Sequence, residues 1–166
     1  GRAAMLYAEN GRSMVLKFKH GDRTDLARSA GAWLAQAATP LVCEDTLVAP
    51  VPLHWLRVLQ RRYNQSALLA AQVSKLHGLD YCPDLLRRPV ATRKLDGMTA
   101  DQRHETVSGA IKVTPKRAKR IAGRHVLLID DVMTTGATLT QCARVCLEAG
   151  ASHISIAVLA RVARGV

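Results

Sequence analysis

Residues 126–138 constrain this chain more than any other stretch, because they pass within thirteen positions from a fully apolar run to adjacent acids and then to small hydroxyl residues. Val126, Leu127, Leu128 and Ile129 are apolar in succession, the pattern of a strand covered on both faces. Asp130 and Asp131 follow at its carboxyl end. Unpaired buried carboxylates are costly, so these two must meet solvent, hydroxyl groups or a cation. A vicinal diol is a suitable partner, since each carboxylate oxygen accepts a charge-assisted hydrogen bond. Val132, Met133, Thr134, Thr135, Gly136, Ala137 and Thr138 come next and lead into an apolar-periodic segment. A helix starting there offers free N–H groups and a partial positive charge to an anion. Gly136 permits close backbone approach, and the threonine hydroxyls add donors. Carboxylates for a diol beside a cradle for a phosphate describe a ribose 5-phosphate site. The plainer alternative is a strand ending in solvated aspartates, with Thr138 as an ordinary helix N-cap.

The surrounding pattern supplies a sheet for that strand. Residues 125–129 read as a strand, 130–138 as a loop, 139–149 as a helix stopped by Gly150, and 153–159 as another strand. Upstream, 3–8 reads as a short strand with a turn at Asn10-Gly11, and 25–38 as an Ala/Leu-rich helix ending before Pro40. Residues 46–51 form an apolar strand that stops where Pro50 and Pro52 remove backbone donors. Residues 53–63 are a basic loop, and 64–77 a helix with Leu68, Leu69, Val73 and Leu76 on one side and Gly78 as its stop. Leu85-Leu86 and 111–113 are brief strands flanking a long polar stretch at 87–105. The fold class expected is α/β, a mainly parallel central sheet flanked by helices, with ligands at the carboxyl ends of its strands. No linker or repeat divides the chain, so residues 1–166 are expected to form a single domain.

Composition narrows the setting. Lys and Arg number 24 against 13 Asp and Glu, a net charge of +11 that favours polyanionic ligands such as phosphates or nucleic acid. Aromatics are only 4%, so the core must be aliphatic and any nucleic-acid contact should stack few bases. No apolar run reaches the roughly 18 to 20 residues that span a bilayer, and the first residues lack a signal-peptide core. Cys43, Cys82, Cys142 and Cys146 form no CxxC pair and are expected as buried reduced thiols, in keeping with a cytoplasmic location. A dinucleotide-binding reading is disfavoured, because no GxGxxG follows a strand.

The run 126–138 resembles the fingerprint of type I phosphoribosyltransferases: four hydrophobics, two acids, then a Thr-Thr-Gly loop. The resemblance implies that Asp130 and Asp131 hold the ribose hydroxyls of phosphoribosyl diphosphate and act at the catalytic centre. Met133, Thr134, Thr135, Gly136, Ala137 and Thr138 would then wrap its 5-phosphate. Mg²⁺ would ride mainly on the substrate, with Asp130 and Asp131 nearby. A second stretch, Val48-Ala49-Pro50-Val51-Pro52-Leu53-His54 with Arg57 and then Arg61-Arg62-Tyr63-Asn64-Gln65-Ser66, resembles the ComF/GntX family of competence-associated proteins. Tyr7, Lys17 and residues 19–22 also resemble that family's N-terminal pattern.

On this resemblance Arg57, Arg61 and Arg62 would meet pyrophosphate, whose paired oxygens suit guanidinium forks. Arg103, with Arg93 and Lys94, falls in the family's mobile loop and would stabilise the leaving pyrophosphate. Departures exist: Arg62 and Thr106 stand where Gly and Asn are usual. The family's upstream four-cysteine zinc ribbon is expected to be absent, cut away or missing from this lineage. The function implied is binding of phosphoribosyl diphosphate with Mg²⁺ and transfer of the phosphoribosyl group to an unidentified acceptor. The alternative is a non-catalytic competence factor that binds single-stranded DNA or a helicase-like partner. Other competence proteins and a homodimer are compatible associations, whereas membrane insertion is not expected.

Overall fold

The structure, a computed structural model, describes residues 1–7, 24–53, 63–88 and 110–162. In chain order these form β1 (Arg2–Leu6), α1 (Thr24–Ala38), β2 (Leu47–Pro50), α2 (Gln65–His77), β3 (Asp80–Tyr81), β4 (Leu86–Arg87), β5 (Lys112–Val113), β6 (His125–Met133), α3 (Ala137–Glu148) and β7 (His153–Arg161). Five strands make one sheet in the order β1-β7-β6-β2-β3, with every neighbouring pair parallel. Strands β4 and β5 make a separate antiparallel pair. The expected α/β class with a mainly parallel, helix-flanked sheet is what the chain adopts. None of the described helices is long and apolar enough to cross a membrane.

Alternation along the strands builds two cores. Leu127 and Ile129 of β6 join Val48, Ala157 and Leu159 beneath α1 and α2. Val126 and Leu128 point the other way and pack with Leu47, Ala49 and Val158 against α3, whose Leu139, Cys142 and Cys146 complete that layer. Successive side chains on a strand face opposite sides, so an unbroken apolar run is needed only where both faces are covered. Each fully buried Leu or Ile contributes about 1.5–3 kcal/mol relative to exposure. Ile111 and Ile121, from the segment around β5, close the α3 side.

Helix α2 shows why periodicity alone misassigned a face. Leu69 and Val73 are buried as expected, but Leu68 is only partly buried and Leu76 is 57% exposed. The packed surface is instead filled by Ala70 and Ser74 together with Leu69 and Val73. Small residues belong there because α1 and α2 lie very close: a Cβ built on Gly31 would sit 2.5 Å from Gln72 Cβ. The helix begins at Asn64, whose side chain accepts from Ser66 N–H, and stops at Gly78 with φ 67°. Asn64 is thus an N-cap, the more ordinary of the roles open to it.

Two further expectations are corrected, and one strand is new. Strand β6 runs four residues past Ile129 to Met133, and α3 starts at Ala137, so the loop between them shrinks to Thr134-Thr135-Gly136. Pairing with β7 carries β6 that far, matching Val132 with Ala160 and Met133 with Arg161. Strand β3, two residues long, has no sequence pattern of its own and is held by pairing with β2 and by the Tyr81 hydroxyl donating to Ala67 O. Cys82, Cys142 and Cys146 are buried, but Cys43 is exposed, because it lies in the turn before β2, where its N–H donates to Thr46 Oγ1. Residues 13–20 and the long polar stretch 89–105 lie outside the described residues.

Replacing Gly31 by Ala improves intrinsic helix propensity by about 1 kcal/mol but drives a methyl group into the stem of Gln72. Overpacking of this kind costs about 1–3 kcal/mol. Gly31→Ala is therefore expected to lower, not raise, the urea midpoint, and adding Gln72→Ala should recover little of the loss, because alanine keeps the Cβ that lies 2.5 Å from the new methyl group.

Candidate functional site

The site is built where β6 outruns its neighbour. Pairing of β2 with β6 ends at Pro50 and Ile129, and Val51 N–H donates to Ile129 O as the last contact on that side. Beyond it, residues 130–133 keep β7 alone as a strand partner. Asp130 lies on the α3 side with Val126 and Leu128, but strict alternation does not run to the strand's end, since Val132 packs with the α1/α2 core and Met133 with the α3 core. A cavity of about 50 Å³ opens here, lined by Asp130 and the run 132–139, and Asp131 is not part of its wall. Since one water-sized probe needs roughly 10–15 Å³, this is space on the scale of a tetrahedral anion. Of two carboxylates adjacent in sequence, only Asp130 thus borders the cavity.

The far wall is the start of α3. Gly136 occupies the N-cap with φ 83°, a left-handed conformation that side-chain-bearing residues avoid. It makes no side-chain capping bond, and the helix has no acidic residue in its first turn. Its carbonyl accepts from Thr140 N–H at 2.9 Å, while Thr135 Oγ1 accepts from Ala137 N–H at 3.4 Å. Thr138 is an interior position of the first turn, not a cap. A helix start without a capping carboxylate keeps its partial positive charge for an anion.

Asp130 is held from the far side of β2. Its Oδ1 accepts from Ser66 Oγ at 2.8 Å and from the backbone N–H of Asp131 at 2.9 Å. Asp131 Oδ1 accepts from Val132 N–H at 2.7 Å. Ser66 reaches Asp130 because Asn64, capping α2, also donates through Nδ2 to Val51 O at 3.1 Å, tying the helix start to the end of β2. Ser66 was legible only as part of a motif, without a role. Arg88 also escaped individual notice. Burial pushes the Cys142 thiol far up, the Asp130 charge raises it further and the Arg88 guanidinium opposes it, so both charges lie near the same α3 surface.

Of the residues read from sequence, the structure brings together Asp130 and Met133 through Thr138 around one cavity. Arg57, Arg61, Arg62 and Arg103 lie outside the described residues, as do Arg93, Lys94 and Thr106. For a divalent ion the fit is selective. Among the described residues, neither Asp130 nor Asp131 belongs to a group of three or more metal-ligating side chains. A hard ion such as Mg²⁺ fits here only if substrate oxygens and water complete its shell, which is its usual habit.

A family model for the phosphoribosyl transferase domain matches residues 66–166, more than half of the chain and all of the site just described. The chain belongs to that family. Competence protein F of Haemophilus influenzae is 31% identical over 114 residues, covering 69% of this chain and 49% of that protein. DNA utilization protein YhgH of Escherichia coli K12 is 27% identical over 161 residues, covering 93% of this chain and 69% of that protein. The chain therefore spans from about half to about two-thirds of the length of these relatives. Among solved structures, glutamine phosphoribosylpyrophosphate amidotransferase from B. subtilis, complexed with ADP and GMP, matches with a TM-score of 0.56 at 16% identity. That likeness covers 86% of this chain and 30% of the other, and is one of fold. Together the matches put this phosphoribosyltransferase-type domain in the ComF-like branch that the resemblance at 48–70 implies.

Within the domain, Gly136→Ala meets no close side chain, the nearest atom to a new Cβ being Met133 Sδ at 3.9 Å. The substitution should therefore cost only the left-handed backbone strain, about 1–2 kcal/mol. Chemical denaturation is expected to show that loss with an unchanged m-value.

Proposed function

We propose that this chain binds phosphoribosyl diphosphate together with Mg²⁺ and transfers its phosphoribosyl group to an acceptor. The observation that carries this reading is the cavity between Asp130 and the uncapped start of α3. The 5-phosphate is taken by the N–H groups and hydroxyls of 133–138, where the helix dipole favours charge. Asp130, oriented by Ser66, accepts from a ribose hydroxyl, and Asp131 beside it supplies a second carboxylate for the ribose. Arg57, Arg61, Arg62 and Arg103 neutralise the diphosphate as its bond to the anomeric carbon breaks and the acceptor's nucleophile takes its place. Mg²⁺, when bound, spreads the charge of the departing pyrophosphate. Such a soluble ligand suits action in the cytoplasm.

A second reading is favoured by the names of the relatives, a competence protein and a DNA utilization protein, and by the +11 charge. In it the ribose phosphate site serves a DNA-handling factor, and turnover is not its task. Single-stranded DNA would then be held by phosphate contacts, with strong salt dependence.

Calorimetry with phosphoribosyl diphosphate and Mg²⁺ separates these possibilities. Asp130→Asn preserves the acceptor for Ser66 but removes the charge, and losing a charge-assisted bond worth about 1.5–3 kcal/mol should weaken binding roughly 10- to 100-fold. Equal affinity in wild type and Asp130→Asn would overturn the ligand assignment. Pyrophosphate release with nucleobases, amines or water as acceptors supports transfer. Tight binding with no release from any acceptor, alongside salt-sensitive DNA binding, supports the second reading.

A further inference from the structure

The opposite edge of the sheet carries its own cluster of chemically active side chains. Cys43 and Asp45 lie in the turn leading into β2, and His125 is the first residue of β6. Cys43 Sγ stands 2.9 Å from Asp45 Oδ1 and 3.3 Å from His125 Nδ1. Candidate ligand atoms of the three residues all lie within 4.8 Å of one another. No other group of three or more His, Cys, Asp or Glu side chains among the described residues meets that condition.

Those separations are close to what one ion demands. With zinc–sulfur bonds near 2.3 Å and zinc–nitrogen or zinc–oxygen bonds near 2.0–2.2 Å, the edges of a ligand tetrahedron are about 3.3–3.6 Å. The sulfur–nitrogen distance already has that value, and the sulfur–oxygen contact needs to open by roughly half an ångström. The donor set is equally selective. A thiolate, an imidazole and a carboxylate suit a borderline-soft ion, whereas Mg²⁺ and Ca²⁺ prefer oxygen alone. Thiolate and carboxylate charges also balance a divalent cation.

We propose that Cys43, Asp45 and His125 form a binding site for one divalent transition-metal ion of the zinc type, with water as its fourth ligand. Thr46 prepares the site. Its Oγ1 accepts from Cys43 N–H at 2.9 Å and lies 3.0 Å from His125 Nδ1 and 3.2 Å from Cys43 Sγ, so it holds both in place. Nδ1 is the ring nitrogen turned into the cluster, where its lone pair is free for an ion once the Thr46 hydroxyl turns away, and Nε2, buried without a hydrogen-bond partner, then carries the imidazole proton. The hydrogen-bonding contacts of the ring thus lie on the side facing Cys43. Position is secured by β6, where His125 pairs with His153 in register and their rings lie 5.0 Å apart. Cys43 and Asp45 are exposed, which gives an ion its entry path. Binding displaces the thiol proton to solvent and clips the turn before β2 to a strand 82 positions further along the chain.

The test uses the untagged chain, dialysed against Zn²⁺ or Co²⁺ with Mg²⁺ in excess and no phosphoribosyl ligand. Wild type should retain about one equivalent of Zn²⁺ and, with Co²⁺, show a thiolate-to-cobalt charge-transfer band. Cys43→Ser should abolish the band and weaken Zn²⁺ binding at least about 100-fold, and Asp45→Asn at least about 10-fold, by analogy with the size of ligand-shell effects. Both positions are exposed, so circular dichroism should be unchanged. Zn²⁺ should also raise the thermal midpoint of wild type and not of Cys43→Ser. Zinc retention by wild type no greater than by Cys43→Ser, a band that survives in that variant, or an equal thermal shift in both would each overturn the proposal. Each outcome is independent of whether Asp130 binds ribose.

Discussion

Strand β2 ends against Ile129, and β6 goes on for four residues with a strand partner on one side only. Nearly everything about the candidate site depends on that mismatch. Had β2 continued, its side chains would occupy the ground between Asp130 and α2, and Ser66 could not reach the carboxylate. Pro50 and Pro52 make the stop local, since neither offers an N–H to extend the ladder. The overrun creates its own difficulty, because unpaired backbone groups near a covered sheet are expensive. The acids answer part of it: Asp130 accepts from the N–H of Asp131, and Asp131 from that of Val132. The carboxylates thus stabilise the strand end on which they are carried.

This double duty separates charge from shape in Asp130. An amide at that position keeps the oxygen that Ser66 and Asp131 address, while a methyl group would release both donors at once. The same distinction bears on how the loop after it works. Gly136 takes a positive φ because the chain must turn from strand to helix within three residues, Thr134-Thr135-Gly136. Only the Thr135 hydroxyl meets the resulting helix start, at Ala137 N–H, and no carboxylate fills it. A short turn, an unfilled cap and a nearby oriented acid follow from one length constraint between β6 and α3.

Much of the architecture was legible because the controlling signals are local. The unbroken run Val126 to Ile129 demands two covered faces, and Gly78 and Gly150 mark helix ends with positive φ. What escaped was set by partners distant in sequence. Asp130 and Asp131 look like the beginning of a loop, and only pairing with β7 keeps them in a strand. Leu76 fits a helical stripe, yet α2 meets α1 through smaller residues because Gly31 allows the helices so close. Cys43 has no nearby motif, since its neighbour His125 arrives from 82 positions away. Ser66 was visible as a letter in a motif, but its contact with Asp130 spans 64 positions and depends on how α2 docks.

Strand β6 carries His125 at one end and Asp130 near the other, five residues apart. At about 3.3 Å per residue that separates the two sites by roughly 16 Å. Such a span is about twice the screening length of about 8 Å at physiological ionic strength. An ion held by Cys43, Asp45 and His125 therefore acts only weakly through its charge on a phosphate at α3. Its leverage is mechanical: it fixes the lower ends of β2 and β6 relative to each other, and the register between these strands decides where β2 stops. Metal binding at one edge should consequently act on the other through the population of correctly registered sheet, and leave the intrinsic affinity of that sheet for an anion unchanged.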